Sequence, residues 1–111
     1  MYKIYYKLQD YLLTIKHAYQ RAVRGYDDSA KWSLYFYIAE LAVPVLKDMI
    51  ENSVGYPEEV GSQKKWAAIL KKMVIAFELS TTNKYLHTPK EIKQINDGLD
   101  LFRKYFLYLW D

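Results

Sequence analysis

Cysteine is absent from this chain of 111 residues. Its absence excludes structural disulfides, thiolate zinc sites and thiol catalysis, and it leaves the redox compartment open. Proline and glycine are scarce, with three and four residues, so few positions can interrupt a helix. Long apolar runs are missing too. The longest uncharged stretch covers residues 32–39, whereas a membrane-spanning helix needs ~20 apolar residues.

The N-terminal stretch MYKIYYKLQD is charged at positions 3, 7 and 10. It contains neither an apolar run of signal-peptide length nor a cleavage site of small residues. We therefore expect a cytoplasmic protein that does not associate with a membrane. The length and the composition, 51% hydrophobic and 26% charged, predict a single helical domain over residues 1–111 once the periodicity below is considered.

Tyrosine is abundant, with twelve residues. Its ring is apolar, but its hydroxyl needs a hydrogen-bond partner when the side chain is buried. The excess of tyrosine therefore indicates many half-buried positions, at the rim of the domain or at an interface.

The spacing of apolar residues predicts four helices. In helix 1, about residues 2–24, a 3-4-3-4-3 spacing defines one apolar stripe, which consists of Tyr5, Leu8, Leu12, Ile15, Tyr19 and Ala22. Gly25 is expected to end this helix, and Asp27 or Asp28 to accept hydrogen bonds from the free N–H groups of the next one.

Helix 2, about residues 29–52, is apolar almost all round, which is typical of a helix that its neighbours cover on most sides. Pro44 lies inside it and is expected to kink it. The sequence therefore predicts an all-α fold, a four-helix antiparallel bundle with a Pro-kinked central helix 2.

Cap signals begin the other two helices. Ser62 precedes helix 3, and Thr88 with Glu91 forms a capping box for helix 4, which extends to about residue 110. Gly98 inside helix 4 costs about 1 kcal/mol relative to Ala, and close approach of another helix is the usual compensation. The predicted core includes Trp32, Leu34, Ile38, Leu41, Trp66, Met73, Phe77, Leu99, Phe102 and Phe106.

Three stretches, GYDDSAKWSLYFYIAELAVPVLK, WAAILKKMVIAFE and GLDLFRKYFLYLWD, resemble a family of small uncharacterised helical proteins from tailed phages and prophages. The shared pattern is Gly-aromatic-x-Asp, Trp-Ser-Leu, Pro-x-Leu-Lys, Trp-x-x-Ile-Leu-x-Lys-Met, Ala-Phe-Glu and Gly-Leu-x-Leu-Phe-x-Lys-Tyr-Phe-x-x-Leu-Trp, over about residues 24–111. The resemblance implies a viral origin, the host cytoplasm as location and an accessory role, and it brings no catalytic residue. The chain departs from the family at Tyr35 and Val45, where Asp and Arg are usual, and at QKKWAAILKK, where the family is acidic.

Enzyme signatures are missing. SQKK at 62–65 matches Ser-x-x-Lys, but the companion Ser-Asp-Asn and Lys-Thr-Gly elements are absent. Asp27 and Asp28 suit helix capping better than a metal pair, which needs a third ligand. No glutamate precedes a histidine by three residues, which excludes paired Glu-x-x-His metal sites. We expect His17 and His87 to be solvated, and we expect no enzyme, no catalytic residue, no cofactor and no metal.

Two basic surfaces are candidate nucleic-acid faces. Helix 1 has a local charge balance of +4 and contributes Lys3, Lys7, Lys16, Arg21 and Arg24. Helix 3 contributes two lysine pairs that recur after seven residues on one outward face, namely Lys64, Lys65, Lys71 and Lys72. Soluble helices ordinarily have charged outer faces, so a solvated face without a ligand is the competing interpretation.

Helix 4 ends in an aromatic margin. Tyr105, Tyr108 and Trp110 flank its apolar stripe and form the candidate protein interface. Two functional classes stay open. One is a non-enzymatic module that binds a host or viral protein and forms a homodimer, and the other is a nucleic-acid-binding or defence-interfering module that works through its lysines. Membrane contact by helix 1 is disfavoured, because its apolar face is expected to cover helix 2.

Overall fold

The computed structural model describes residues 2–82 and 87–110, and the side chains from residue 4 onward. Over these ranges the protein is all-α, as predicted, with five α-helices, two short 3₁₀ helices and no strand. The α-helices are α1 (Tyr2–Arg24), α2 (Ser29–Trp32), α3 (Leu34–Asn52), α4 (Gln63–Thr81) and α5 (Pro89–Lys104). The 3₁₀ helices span Glu58–Val60 and Phe106–Tyr108.

The chain forms two compact units, an N-terminal unit of Met1–Leu34 and a C-terminal unit of Tyr35–Asp111. The expected continuous helix over residues 29–52 is wrong at Ser33, whose φ of −153° and ψ of 73° end α2. Serine leaves a helix readily, because its hydroxyl competes for nearby backbone groups.

The N-terminal unit contains α1, with the predicted bounds, and α2. Gly25 ends α1 with a φ of 84°, a conformation that a residue without Cβ adopts at little cost. Its N–H donates to the carbonyl of Arg21 at 3.0 Å. Asp27 is buried, and its carboxylate accepts the N–H of Ser29 at 2.9 Å. The predicted role of Asp27 at the start of the next helix is therefore confirmed.

In the C-terminal unit, α4 has more buried residues than any other helix. Its Trp66, Leu70 and Met73 are the largest fully buried side chains among the described residues. Complete burial of a side chain of this size stabilises the fold by about 1.5–3 kcal/mol. The same core contains Ala39, Leu46, Met49, Val60, Val74, Phe77 and Tyr105.

α4 and α5 run antiparallel, since Ala76 lies opposite Gly98 while Trp66 lies opposite Tyr105. A Cβ built on Gly98 would meet the Cβ of Ala76 and come within 2.5 Å of the carbonyl oxygen of Lys72. The prediction that Gly98 marks a close helix approach is confirmed. Glycine at this position allows the two backbones to touch.

The capping box of α5 is also confirmed. The Thr88 hydroxyl accepts the N–H of Glu91 at 3.2 Å, and the Glu91 carboxylate accepts the N–H of Thr88 at 3.1 Å. At the start of α4 the Ser62 hydroxyl accepts the N–H of Lys65 at 3.2 Å. Both caps satisfy N–H groups that lack a partner within their helix.

α3 packs against α4, and Lys47 Nζ lies 3.1 Å from Glu78 Oε1. The helix continues through Pro44. Proline removes the hydrogen bond to the carbonyl four residues earlier, which belongs to Glu40. Because Pro44 and Glu40 are both exposed, water can take the place of that bond.

The predicted core is confirmed only in part. Trp66, Met73 and Phe77 are buried, and Phe102 is half-buried and packs on the core. Six predicted core residues are instead exposed, namely Trp32, Leu34, Ile38, Leu41, Leu99 and Phe106. Periodicity identifies an apolar face, but burial of that face requires a neighbouring element to cover it.

Candidate functional site

A groove of about 310 Å³ lies at one end of the C-terminal unit. Its walls come from the loop that follows α3 and from the 3₁₀ helix that follows α5. It is lined by Val54, Gly55, Tyr56, Pro57, Trp66, Tyr108 and Trp110. Four of these seven residues are aromatic, so we call it the aromatic groove.

Edge-to-face ring contacts with Tyr105 support two aromatic residues that line the groove. The ring of Tyr105 lies 5.5 Å from that of Trp66 at an interplanar angle of 75°, and 6.2 Å from that of Tyr108 at 65°. These edge-to-face contacts are a favourable geometry for aromatic pairs. They connect the exposed Tyr108 to the buried core through Tyr105 and so hold it in position.

The loop wall is held by hydrogen bonds. The Gln63 side chain donates to the carbonyl of Ser53 at 3.1 Å, which ties the loop to the start of α4. Val60 N–H donates to the carbonyl of Pro57 at 3.0 Å, and Gly61 completes the turn with a φ of 94°. Pro57 itself is buried. These contacts fix the loop wall against the start of α4.

The structure changes the assignment of the terminal aromatics. Tyr105, predicted to flank the core, is only 6% exposed, whereas Phe106, predicted to be core, is 53% exposed. α5 ends at Lys104, and the chain continues as a 3₁₀ helix. Tyr105 follows Gly98, the buried glycine of α5, by seven residues, so the α-helical period itself places it on the face toward α4. Phe106 lies about 100° further round the helix axis. Tyr108 and Trp110, at 47% and 76%, stay accessible.

The four lysines of α4 form the second candidate surface, which we call the lysine face. Lys64, Lys65, Lys71 and Lys72 are all exposed. Within residues 2–82 and 87–110, none of the four makes an ion pair. Lys64 lies close in angle to Lys71, and Lys65 to Lys72, because seven residues are nearly two helical turns. The lysine face is therefore a positive surface whose four cations have no ion pair among the described residues.

The cations at the end of α1 are compensated. Arg21 pairs with Asp27, while Arg24 lies 2.7 Å and Lys16 3.5 Å from Asp28. We call this cluster the aspartate turn. Lys7 is exposed, and the side chain of Lys3 lies outside the described residues. The sequence analysis treated the cations of α1 as one basic face. A count of charges along a helix does not show that the following turn supplies Asp27 and Asp28 as ion-pair partners.

Hydrogen bonds hold both carboxylates of the aspartate turn in the charged form. The hydroxyl of Ser29 lowers the pKa of Asp27, with Arg21 adding to the effect. The Gln20 amide, which donates to Asp28 at 3.0 Å, lowers the pKa of that carboxyl, and Arg24 lowers it further. A carboxylate with such donors is stabilised in its ionised form.

The two histidines are half-buried rather than fully solvated as expected. The His17 ring lies 5.5 Å from that of Trp32, and its Nε2 has no hydrogen-bond partner in the described part of the chain. His87 Nε2 lies 2.7 Å from the carbonyl oxygens of Leu79 and Thr82. His87 thus lies against the C-terminal end of α4, where it contacts one carbonyl of the helix and that of its C-cap residue Thr82.

No group of three or more His, Asp or Glu side chains that could hold a metal occurs in the described ranges. The same ranges contain no helix that is both long and apolar enough to cross a membrane. Comparisons with protein-family models, curated proteins and solved structures found no match to this chain.

Proposed function

We propose that this chain is a non-enzymatic protein-binding module and that its aromatic groove holds an extended, proline-containing segment of a partner protein. The observation that carries the proposal is the exposed pair Tyr108 and Trp110, which lines one groove together with Tyr56 and Pro57. Tyrosine and tryptophan are the residues that most often dominate binding energy at protein interfaces.

The aromatic lining of the groove favours an extended, proline-rich ligand. Proline-rich segments adopt the polyproline II conformation before binding, and their recognition modules present aromatic-lined grooves. Little conformational entropy is then lost on binding. Glu58 and Glu59 follow Pro57 and are exposed. Their carboxylates favour a segment that has Lys or Arg beside its proline.

The resemblance to phage proteins supports a viral accessory role in the host cytoplasm, with a host or viral protein as the partner. We further propose that the chain acts as a homodimer and that its long helices form an antiparallel four-helix bundle in which α3 is the Pro44-kinked central helix. The support for self-association is the exposed apolar stripe of α1. Contiguous apolar patches of this kind mark interaction sites in soluble proteins.

A second function is favoured by the lysine face. Its four lysines lack ion pairs within the described ranges, so they are free to neutralise phosphates. Such binding would be salt-dependent and largely independent of sequence. The alternative proposal is therefore a nucleic-acid-binding or anti-defence protein.

Binding of the unmodified protein to an array of twelve-residue peptides tests the main proposal. The array places Pro-x-x-Pro beside Lys, beside Glu or beside neither, and includes scrambled peptides. We expect retention of the Lys set, with affinity at least about tenfold lower for Tyr108→Ala and Trp110→Ala, since a binding aromatic contributes about 2 kcal/mol or more. Leu107→Ala is the matched control, because Leu107 is 87% exposed and does not line the groove. Equal retention of scrambled peptides would contradict the proposal.

A further inference from the structure

A groove separate from the aromatic one runs between α3 and α4, entirely within the C-terminal unit. One stretch of about 410 Å³ is lined by Lys47, Ile50, Glu51, Lys71, Val74 and Ile75. Another stretch of about 200 Å³ is lined by Ala39, Glu40, Val43, Pro44, Glu78 and Thr81. At 100° per residue, these residues fall within about 140° around each helix axis. The two stretches therefore lie on the same side of the helix pair, and we call them together the interhelical groove.

α3 and α4 are antiparallel along the interhelical groove. Glu51, near the end of α3, shares one stretch with Lys71, whereas Ala39 shares the other with Thr81, at the end of α4. The segment of α3 from residue 40 to residue 51 is about 16 Å long at 1.5 Å per residue, which is three helical turns. The groove is therefore long enough to receive a helix of about three turns.

The floor of the interhelical groove is apolar. Ala39 and Val74 are buried in the core, and Val43 and Ile50 pack against it. Ile75 lies on the α4 side and is 43% exposed. An apolar floor between two helices suits the apolar stripe of a third helix, because its side chains can pack into the spaces between those of its neighbours.

The two rims of the interhelical groove differ in charge. Glu40 and Glu51 are exposed on the α3 rim, about three turns apart. Lys64 and Lys71 are exposed on one side of α4, about two turns apart, and form the other rim. None of these four side chains makes an ion pair with another residue that the structure describes. One rim is therefore acidic and the other basic.

This charge pattern specifies the flanks of a bound helix. A helix whose apolar stripe lies in the groove turns one flank to the α3 rim and the other flank to the α4 rim. Lys or Arg on the first flank and Asp or Glu on the second give attraction on both sides, as at the flanking positions of coiled coils. Lys47 and Glu78 have the opposite arrangement, but they pair with each other at 3.1 Å and so neutralise each other.

We infer that the interhelical groove binds an amphipathic helix of a partner protein, about three turns long, with basic residues on one flank of its apolar stripe and acidic residues on the other. Reversing the direction of a helix exchanges its flanks, so the rims also determine the direction in which the partner lies. The site is separate from the aromatic groove, and the inference does not rest on the function proposed above. It gives Lys64 and Lys71 of the lysine face a partner other than nucleic acid.

Binding of labelled peptides to the full chain, followed by fluorescence anisotropy, tests the inference. Each peptide has leucine at the a and d positions of a heptad pattern, with Glu at e and Lys at g, Glu at both or Lys at both. We expect the mixed peptide to bind about fivefold more tightly than either other peptide, because a single-sign peptide is repelled by one rim. A peptide of about fifteen residues is largely unfolded alone, so helical circular dichroism should increase on binding. No binding of the mixed peptide, or equal binding of all three, would overturn the inference.

The apolar floor is tested by Ile75→Ser, which should weaken binding of the mixed peptide about fivefold, since part of an isoleucine side chain is no longer buried against it. Ile92→Ser is the matched control, because Ile92 is 48% exposed on α5 and does not line the groove. An equal effect of the two substitutions would overturn the assignment of the site.

The rims are tested by Lys64→Glu with Lys71→Glu, which makes both rims acidic. The preference should then change from the mixed peptide to the Lys peptide. Lys65→Glu with Lys72→Glu is the matched control, since it makes the same change of charge on α4 about 100° further round the helix axis, away from α3. This control should keep the preference for the mixed peptide. An unchanged preference in the first double variant would overturn the inference.

The other occupants give different results. Retardation of duplex DNA that both lysine pairs reduce equally, without a change of peptide preference, would overturn the inference in favour of nucleic acid. Tighter binding of a peptide of residues 2–24 than of the mixed peptide would make a second copy of this chain the occupant and would also overturn it. Tyr108→Ala changes the aromatic groove only and should leave helix binding unchanged, so the two proposed sites fail separately.

Discussion

Gly98 of α5 lies directly against Ala76 of α4, with no space between the two backbones for a side chain on residue 98. Gly98→Ala should therefore destabilise the protein, although alanine is the better helix former by about 1 kcal/mol. Overpacking of this kind costs about 1–3 kcal/mol, because α4 and α5 must move apart. Urea unfolding followed by circular dichroism measures the change.

Asn96→Ala is the control for that experiment, since Asn96 is exposed on the same helix. It should change the free energy of unfolding by no more than about 0.5 kcal/mol. Equal or higher stability of Gly98→Ala would mean that the helices do not approach as closely as described.

Tyr105 and Phe106 provide a matched pair of adjacent aromatics with opposite surroundings. Tyr105→Ala removes a buried ring that packs on Trp66 and should cost about 3–5 kcal/mol, as for other large aromatic truncations. Phe106→Ala removes a ring that is half exposed and should cost about half as much or less. Urea unfolding measures the loss of stability for each variant. A larger loss for Phe106→Ala than for Tyr105→Ala would support the sequence prediction, in which Phe106 is core and Tyr105 is not.

The aspartate turn makes the N-terminal unit sensitive to acid. Both carboxyls have pKa values below the ordinary 3.8, so their ionised forms favour the folded state. This stabilisation is complete above about pH 4–5 and is lost as the pH falls through the lowered pKa values. The amide NMR signal of Ser29 should therefore hold its position from pH 7 to 5 and move toward its unfolded value in strong acid.

Asp27→Asn with Asp28→Asn should remove that acid transition and loosen the turn already at neutral pH. Asp97→Asn changes an exposed carboxyl on α5 and is the control that should leave the Ser29 signal unchanged. A Ser29 signal with the same acid transition in the double variant would show that other groups are responsible.

The lysine face is tested by changing Lys64, Lys65, Lys71 and Lys72 to Ala together. If the face binds nucleic acid, retardation of duplex and single-stranded DNA and RNA should be abolished, while the circular dichroism spectrum stays unchanged. For the unmodified protein, the logarithm of the binding constant should fall with that of salt concentration by about 0.9 per phosphate neutralised on duplex DNA. Lys90→Ala with Lys93→Ala on α5 is the control. Undiminished retardation by the quadruple variant would remove this face from consideration.

The sequence by itself determined the local features of this protein. The caps at Ser62 and Thr88, the end of α1 at Gly25 and the capping role of Asp27 were all predicted and confirmed. Each depends on hydrogen bonds or backbone angles within about four residues. The close approach of another helix at Gly98 was also predicted, because glycine inside a helix needs a compensating contact.

The candidate site was predicted from the sequence only in part. Tyr108 and Trp110 were identified as an accessible aromatic margin, and the structure leaves them accessible. The opposite wall of the aromatic groove, at Tyr56 and Pro57, was missed. An irregular loop has no periodic pattern from which the direction of its side chains can be inferred. Its glycine and proline residues indicated a loop but not the surface that it faces.

Only the tertiary structure decided which apolar faces are covered. Leu34 and Leu46 both lie on α3 and are both leucine, yet Leu46 is 3% and Leu34 58% exposed. Leu34 was predicted to be core and Leu46 was not named. The segment is apolar almost all round, so its period does not show which side a neighbouring element covers. Tyr105 is buried and Phe106 exposed for a related reason, since the face of α5 that meets α4 is centred on Gly98 and not on the apolar stripe of the helix. Burial is a property of the elements that meet, and they are brought together from distant parts of the chain.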